Sequence, residues 1–137
     1  MDDAYTMGLF NLFRPKWKHS NPDVRIEAAG TLSDMGTLQE MAARDRDWFV
    51  RHRVFDIVRD RNPGDGVYAF LAKNSEDEEI RRKAVKKLKD KAVLQEVAKN
   101  DQYRYIRDAA EHRLEELRTN LWGEEPSEPS NTATTAS

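Results

Sequence analysis

A dipeptide made of a β-branched residue and an arginine returns along this chain at near-constant spacing. It occurs at Val24-Arg25, Val50-Arg51, Ile80-Arg81 and Ile106-Arg107, separated by 26, 30 and 26 residues. Val58-Arg59 fits the dipeptide but lies off this register, so the neighbouring residues carry the argument. Four residues after each β-branched anchor stand Ala28, Val54, Ala84 and Ala110, and eight after it stand Leu32, Val58, Leu88 and Leu114. Positions i, i+4 and i+8 fall on one face of an α-helix. A second element repeats behind the first. Leu38-Gln39-Glu40-Met41-Ala42 returns as Leu94-Gln95-Glu96-Val97-Ala98, and Tyr68-Ala69-Phe70-Leu71-Ala72 aligns between them once four residues are inserted near Asn62-Pro63-Gly64-Asp65. These are turn formers, so the insertion lengthens a loop and leaves both helices intact.

Each copy therefore reads as a longer helix, a tight turn and a shorter helix. The expected helices run over 22–33 and 36–44, 47–60 and 65–73, 76–89 and 91–99, with a last one over 103–119. One copy exposes an apolar face that only a neighbouring copy can cover, and at least three copies are needed for a stable stack. The expected fold is all-α: a short right-handed α-solenoid of about 3.5 helical hairpins. Its divisions are an N-terminal lead or cap over 1–20, an array over 21–119 (21–45, 46–75, 76–101 and 102–119) and a tail over 120–137. Leu9, Phe10, Leu12, Phe13 and Trp17 in the lead are expected to cover the open face of the first copy. The alternative for these residues, with Arg14, Lys16 and Lys18 interleaved, is an amphipathic membrane-surface anchor, which Pro15 would cut short. Glu124 to Ser137 holds no aliphatic larger than Ala and no basic residue, so a disordered acidic tail is expected there. Leu121 and Trp122 are expected to pack back on the last helix.

Asn-Pro-Asp-Val-Arg-Ile-Glu-Ala-Ala, Asp-Trp-Phe-Val-Arg and Glu-Glu-Ile-Arg-Arg-Lys-Ala-Val resemble HEAT repeats of the short variety found in bacterial proteins. The lead Phe13-Arg14-Pro15-Lys16-Trp17-Lys18-His19 resembles the lead-in of some bacterial HEAT-repeat proteins. The resemblance covers roughly 21–119 and implies a non-enzymatic interaction scaffold or adaptor. The chain departs from the pattern in the Pro-Gly insertion of the second copy, in Gly30 inside the first helix, and in the missing short helix after the last copy.

Composition removes other function classes. The 137 residues carry 23 Lys+Arg against 25 Asp+Glu, a net charge of −2, and no cysteine. Thiolate metal sites, Fe–S clusters and cysteine nucleophiles are thereby excluded. The near-neutral balance does not announce a nucleic-acid binder. No apolar run approaches a membrane span, and the acidic Met1-Asp2-Asp3 start is unlike a secretory signal. A cytoplasmic monomer that binds another protein is the expectation. His19, His52 and His112 occupy different repeat positions, and no phosphate loop, nucleophile elbow or His-Glu-x-x-His motif occurs. No catalytic residue, metal ligand or cofactor site is expected.

Three groups of residues remain as candidates. Arg25, Arg51, Arg81 and Arg107 are expected to form a structural ladder with the turn acids Asp34, Asp60 and Asp90, because a guanidinium satisfies a carboxylate and backbone carbonyls together. The resemblance points the same way. Gln39, Glu40, Arg44, Lys73, Gln95, Glu96 and Lys99 on the shorter helices, with Tyr105, are the expected partner-binding residues. Trp48 is expected to fill the joint between copies. The alternative surface is basic, Lys83, Lys86 and Lys87 on the helix that begins Glu76-Asp77-Glu78-Glu79, where a phosphate backbone could bind. Local helix physics accounts for part of that pattern, through a Ser75/Glu78 capping box and the pairs Glu78–Arg82 and Glu79–Lys83.

Overall fold

The computed structural model describes residues 14–123, with side chains through residue 120. Every regular element among the described residues is helical: a 3-10 turn at Lys16–Lys18, then α1 (Pro22–Thr31), α2 (Met35–Arg44), α3 (Trp48–Asp60), α4 (Asp65–Asn74), α5 (Glu78–Lys87), α6 (Lys91–Asn100) and α7 (Arg104–Gly123). The all-α expectation holds. Leu9 to Phe13, Leu121, Trp122 and the tail from Glu124 lie outside the residues whose side chains are described.

Helix ends follow local chemistry. Asn21, Asp34, Asp47, Asp77 and Asp90 each accept a backbone N–H from the first turn of the helix they precede. α4 is preceded by Gly64 and has no side-chain cap. Two of the expected helices end early: Leu32 and Leu88 leave the helix as extended C-caps and carry their side chains into the layer below. The capping residue of α5 is Asp77 rather than Ser75, and Ser75 instead donates its hydroxyl to the Ala43 carbonyl in α2, the short helix of the preceding copy.

The helices form two layers. α1, α3, α5 and α7 pack in sequence, α2 and α4 then α4 and α6 pack in sequence, and each short helix also lies against the long helix that follows it. The i, i+4, i+8 stripe is the core: Val50, Val54 and Val58 in α3, Ile80, Ala84 and Leu88 at α5, and Ile106 and Ala110 in α7 are all fully buried. Leu38, Leu71 and Leu94 oppose them from the short helices. α1 departs from this. Its buried positions are Arg25 and Ala29, one residue on, while Val24, Ala28 and Leu32 are only half-buried. α1 has a long helix on one side only, and on the other the 3-10 turn with Trp17.

Gly30 sits in the last turn of α1, exposed, and a β-carbon there meets nothing within 4 Å. Gly30→Ala is expected to stabilise the protein by about 0.5–1 kcal/mol, read as a raised urea midpoint with an unchanged slope.

Candidate functional site

The recurring arginines open the long helices and turn back over the joints between successive helices. Arg25 donates through Nε and Nη2 to Asp45 at 3.0 and 2.9 Å, and through Nη1 to the His19 carbonyl at 2.8 Å. Arg51 bonds Asp77 at 2.8 Å and the Asp45 carbonyl at 2.7 Å. Arg81 bonds Asp101 at 2.8 Å and the Ser75 carbonyl at 3.0 Å. Arg107 donates to the Asp101 carbonyl at 2.6 Å. Each joint thus holds one arginine through its side chain and the next through its backbone, giving one continuous ladder from His19 to Arg107. Its first rung is the most buried, Arg25 being 2 % and Asp45 7 % exposed.

The arginines of the ladder are the expected ones, but the acids are not Asp34, Asp60 and Asp90. Asp34 caps α2 and takes a 2.6 Å hydrogen bond from Thr37, which with the Gly36 N–H lowers its pKa. Asp60 pairs with its neighbour Arg59 at 3.2 Å, and Asp90 caps α6. The reason is length. α1 has 10 residues and α3 has 13, and an acid nine residues past the arginine lies about 13–14 Å away along the helix. Asp45, Asp77 and Asp101 sit at the same end as the arginines. The sequence carried a signal for two of them, since Asp45, Ser75 and Asp101 each stand five residues before an anchor.

The second joint breaks the rule in an instructive way. Ser75 replaces the acid and keeps the turn, accepting the Asp77 N–H at 3.0 Å, but it holds no charge. Arg51 reaches two residues further to Asp77, whose Oδ2 also lies 3.0 Å from His52 Nε2. His52 Nδ1 in turn lies 3.0 Å from Lys83 Nζ, and Lys83 also sits over the Phe55 ring. Burial alone would raise the Asp77 pKa, but hydrogen bonds from Arg51 and the Ile80 N–H, with the nearby charges of His52 and Arg51, hold it below the ordinary value.

These contacts divide the basic surface. Lys83 is half-buried and engaged by His52, so it is not part of an open phosphate-contacting face with Lys86 and Lys87, which are exposed. Lys86 borders a hollow with Tyr105 and His112, whereas Lys87 borders a different one with Arg59 and Tyr68. The expected in-helix pairs are also replaced, since Glu79 accepts from Arg82 at 2.9 Å, three residues away.

The partner-binding candidates on the short helices are exposed except for half-buried Gln39. Their charges are largely spent on one another: Arg44 pairs with Glu40 at 2.8 Å and Glu76 at 3.7 Å, and Lys73 pairs with Glu96 at 3.3 Å. Gln95 and Lys99 border a shallow groove with Ala98 and Leu114 between α6 and α7. The opposite edge is apolar. Trp48 does not fill a joint; it is 63 % exposed, with Phe49, Tyr103 and Tyr105 exposed as well. Trp48 packs edge-on to His52 at 5.5 Å, and Tyr103 lies 6.0 Å from Tyr105. The first turn of α5 runs between the two pairs. Desolvation, then the carboxylates of Glu78 and Glu79, push the Tyr105 phenol above its usual range. Among the described residues no cluster of three His, Asp or Glu side chains has the geometry to hold a metal ion. No protein-family model, curated protein or solved structure matches this chain.

Asp45→Ala leaves Arg25 buried without its counter-charge and is expected to cost about 3–5 kcal/mol. Asp34→Ala removes only a helix cap, at about 1 kcal/mol. Equal losses in urea unfolding would contradict the assignment of the ladder acids. Because the folded pKa of Asp77 lies below 3.8, its contribution is complete above that value and is lost as pH falls through the folded one. Asp77→Asn is therefore expected to flatten the fall of stability with acidification below about pH 4, measured as urea midpoints across the acid range.

Proposed function

We propose that the chain is a protein-binding scaffold without catalysis of its own, built as a short right-handed α-solenoid of HEAT-like repeats. The sequence repeat and the sequential packing of long helices on long and short on short both support that architecture. The observation that carries the function is the aromatic edge. Trp48 and Phe49 stay exposed on the first turn of α3, as do Tyr105 on the first turn of α7 and Tyr103 just before it. Trp and Tyr backed by arginine are the residue types that dominate binding energy in protein interfaces. Arg53 lies over Phe49 and Arg81 over Tyr103, each 5.8 Å from the ring centre. The short-helix face, with its charges internally paired, serves as a polar flank in this reading. A cytoplasmic monomer fits the scaffold reading.

Two double variants separate the edges in affinity capture from a nuclease-treated native lysate. Trp48→Ser with Tyr105→Ser is expected to lose the captured proteins while retaining helical circular dichroism. Gln95→Ala with Lys99→Glu is expected to retain them. Capture unchanged by the aromatic variant would remove the edge from the proposal.

A further inference from the structure

The four-residue insertion in the second copy borders a cavity. In the first and third copies the turn after the long helix is Leu32-Ser33-Asp34 and Leu88-Lys89-Asp90, and the aspartate closes the N-terminus of the following helix. In the second copy the chain passes through Asn62 in the left-handed region, φ 49°, then Pro63, and enters α4 at Gly64, which has no side chain to offer. The N–H groups of Asp65 and Gly66 find no acceptor among the described residues. They open a 10-residue helix, whose N-terminus carries partial positive charge. Beside this end lies a hollow of about 340 Å³, bordered by the Asn62-Pro63 turn, Asp65, Tyr68, Arg59, Lys87 and Lys89.

Tyr68 is the second, independent sign. It is 8 % exposed and packs its ring against Phe55, 6.4 Å between centres. Its hydroxyl has no hydrogen-bond partner among the described residues, although buried tyrosine hydroxyls ordinarily have one. The phenol stands within electrostatic reach of Arg59 on the cavity wall. Lys87 and Lys89 form no ion pair among the described residues. Lys87 holds the repeat position of Arg113, whose Nε donates at 2.8 Å to the Leu88 carbonyl at the end of the preceding long helix. Lys87 makes no such contact among the described residues, whereas Arg61 at the end of α3 donates to the carbonyls at the end of α1, including Gly30 at 3.0 Å. Of the carboxylates nearby, Asp56 and Asp60 hold Arg59 at 3.1 and 3.2 Å, Asp60 also acting on the Tyr68 phenol, and Asp65 accepts the Lys89 N–H at 2.8 Å. The wall therefore offers two lysines without ion pairs and a phenol without a hydrogen-bond partner around one space, with Asp65, whose N–H is open, on its border.

We propose that this cavity binds a compact oxyanion of the phosphate class, free or as a phosphate monoester, held by Lys87, Lys89 and the Tyr68 hydroxyl at the N-terminus of α4. This site is independent of the aromatic edge. A tetrahedral oxyanion accepts from all of these donors at once, and charge-assisted hydrogen bonds of this kind are the stronger ones.

The test is titration of the ¹⁵N-labelled full chain with inorganic phosphate at constant ionic strength, followed by amide shifts in NMR. Saturable shifts of Asp65, Gly66 and Lys89 are expected. Tyr68→Phe, which keeps the ring, is expected to weaken binding about tenfold, as is Lys87→Gln. Lys86→Gln, exposed on the same helix outside the cavity, is expected to leave it unchanged. A nucleoside monophosphate binding more tightly than phosphate at the same amides identifies the ester as the ligand, and equal affinity identifies the free anion. Absence of saturation overturns the proposal. So does Tyr68→Phe binding as the parent does, or Lys86→Gln weakening it equally, since either means an adventitious ion only. Shifts produced by a DNA duplex but not by phosphate also overturn it, in favour of backbone contact by surface lysines.

Discussion

A guanidinium buried beside a carboxylate at the joint between helix pairs is the constraint on which the rest of this structure depends. Arg25 and Asp45 are both almost wholly withdrawn from water, and such a pair is tolerable only when its remaining donors and acceptors are also satisfied. Here they are, because the backbone carbonyls of the preceding joint and the N–H of Asp47 complete the set. Removing one member costs far more than the pair contributes net, so the ladder acts chiefly through orientation. It aligns the first turn of each long helix with the turn before it, and the apolar stripe then meets its neighbour in register.

The same requirement explains the irregular second joint. With serine at the place of the acid, the charge has to come from the next position that reaches, and Asp77 supplies it while still capping α5. That choice draws His52 and Lys83 inward and leaves Trp48 edge-on to the histidine. The basic face that the lysine spacing implies is thereby divided, and the aromatic edge is left facing solvent. One substitution in a repeat position has redistributed charge across two copies.

The insertion near 62–65 has a comparable effect at the other end of the long helices. An aspartate cap would have closed the N-terminus of α4, as it closes α2 and α6. The Asn-Pro-Gly turn leaves it open and places it opposite Tyr68 and the lysines of the next copy.

Helix existence and order, and the buried stripe of every long helix but α1, were legible in the residues alone, because i, i+4, i+8 periodicity is a local property of the chain. The arginines of the ladder were legible for the same reason, as one position repeated four times. Their acids were not, since choosing between Asp34 and Asp45 requires knowing which helix ends share a side of the molecule, and rise per residue settles that only once the helices are packed. The exposure of Trp48 was likewise invisible: an aromatic at a joint reads equally as filler or as surface. Composition and spacing thus determined an all-helical chain of repeated pairs with a ladder of arginines. Tertiary packing decided which charges meet, which lysines stay uncommitted and which aromatics face water, because those outcomes depend on distances between segments 20 or more residues apart.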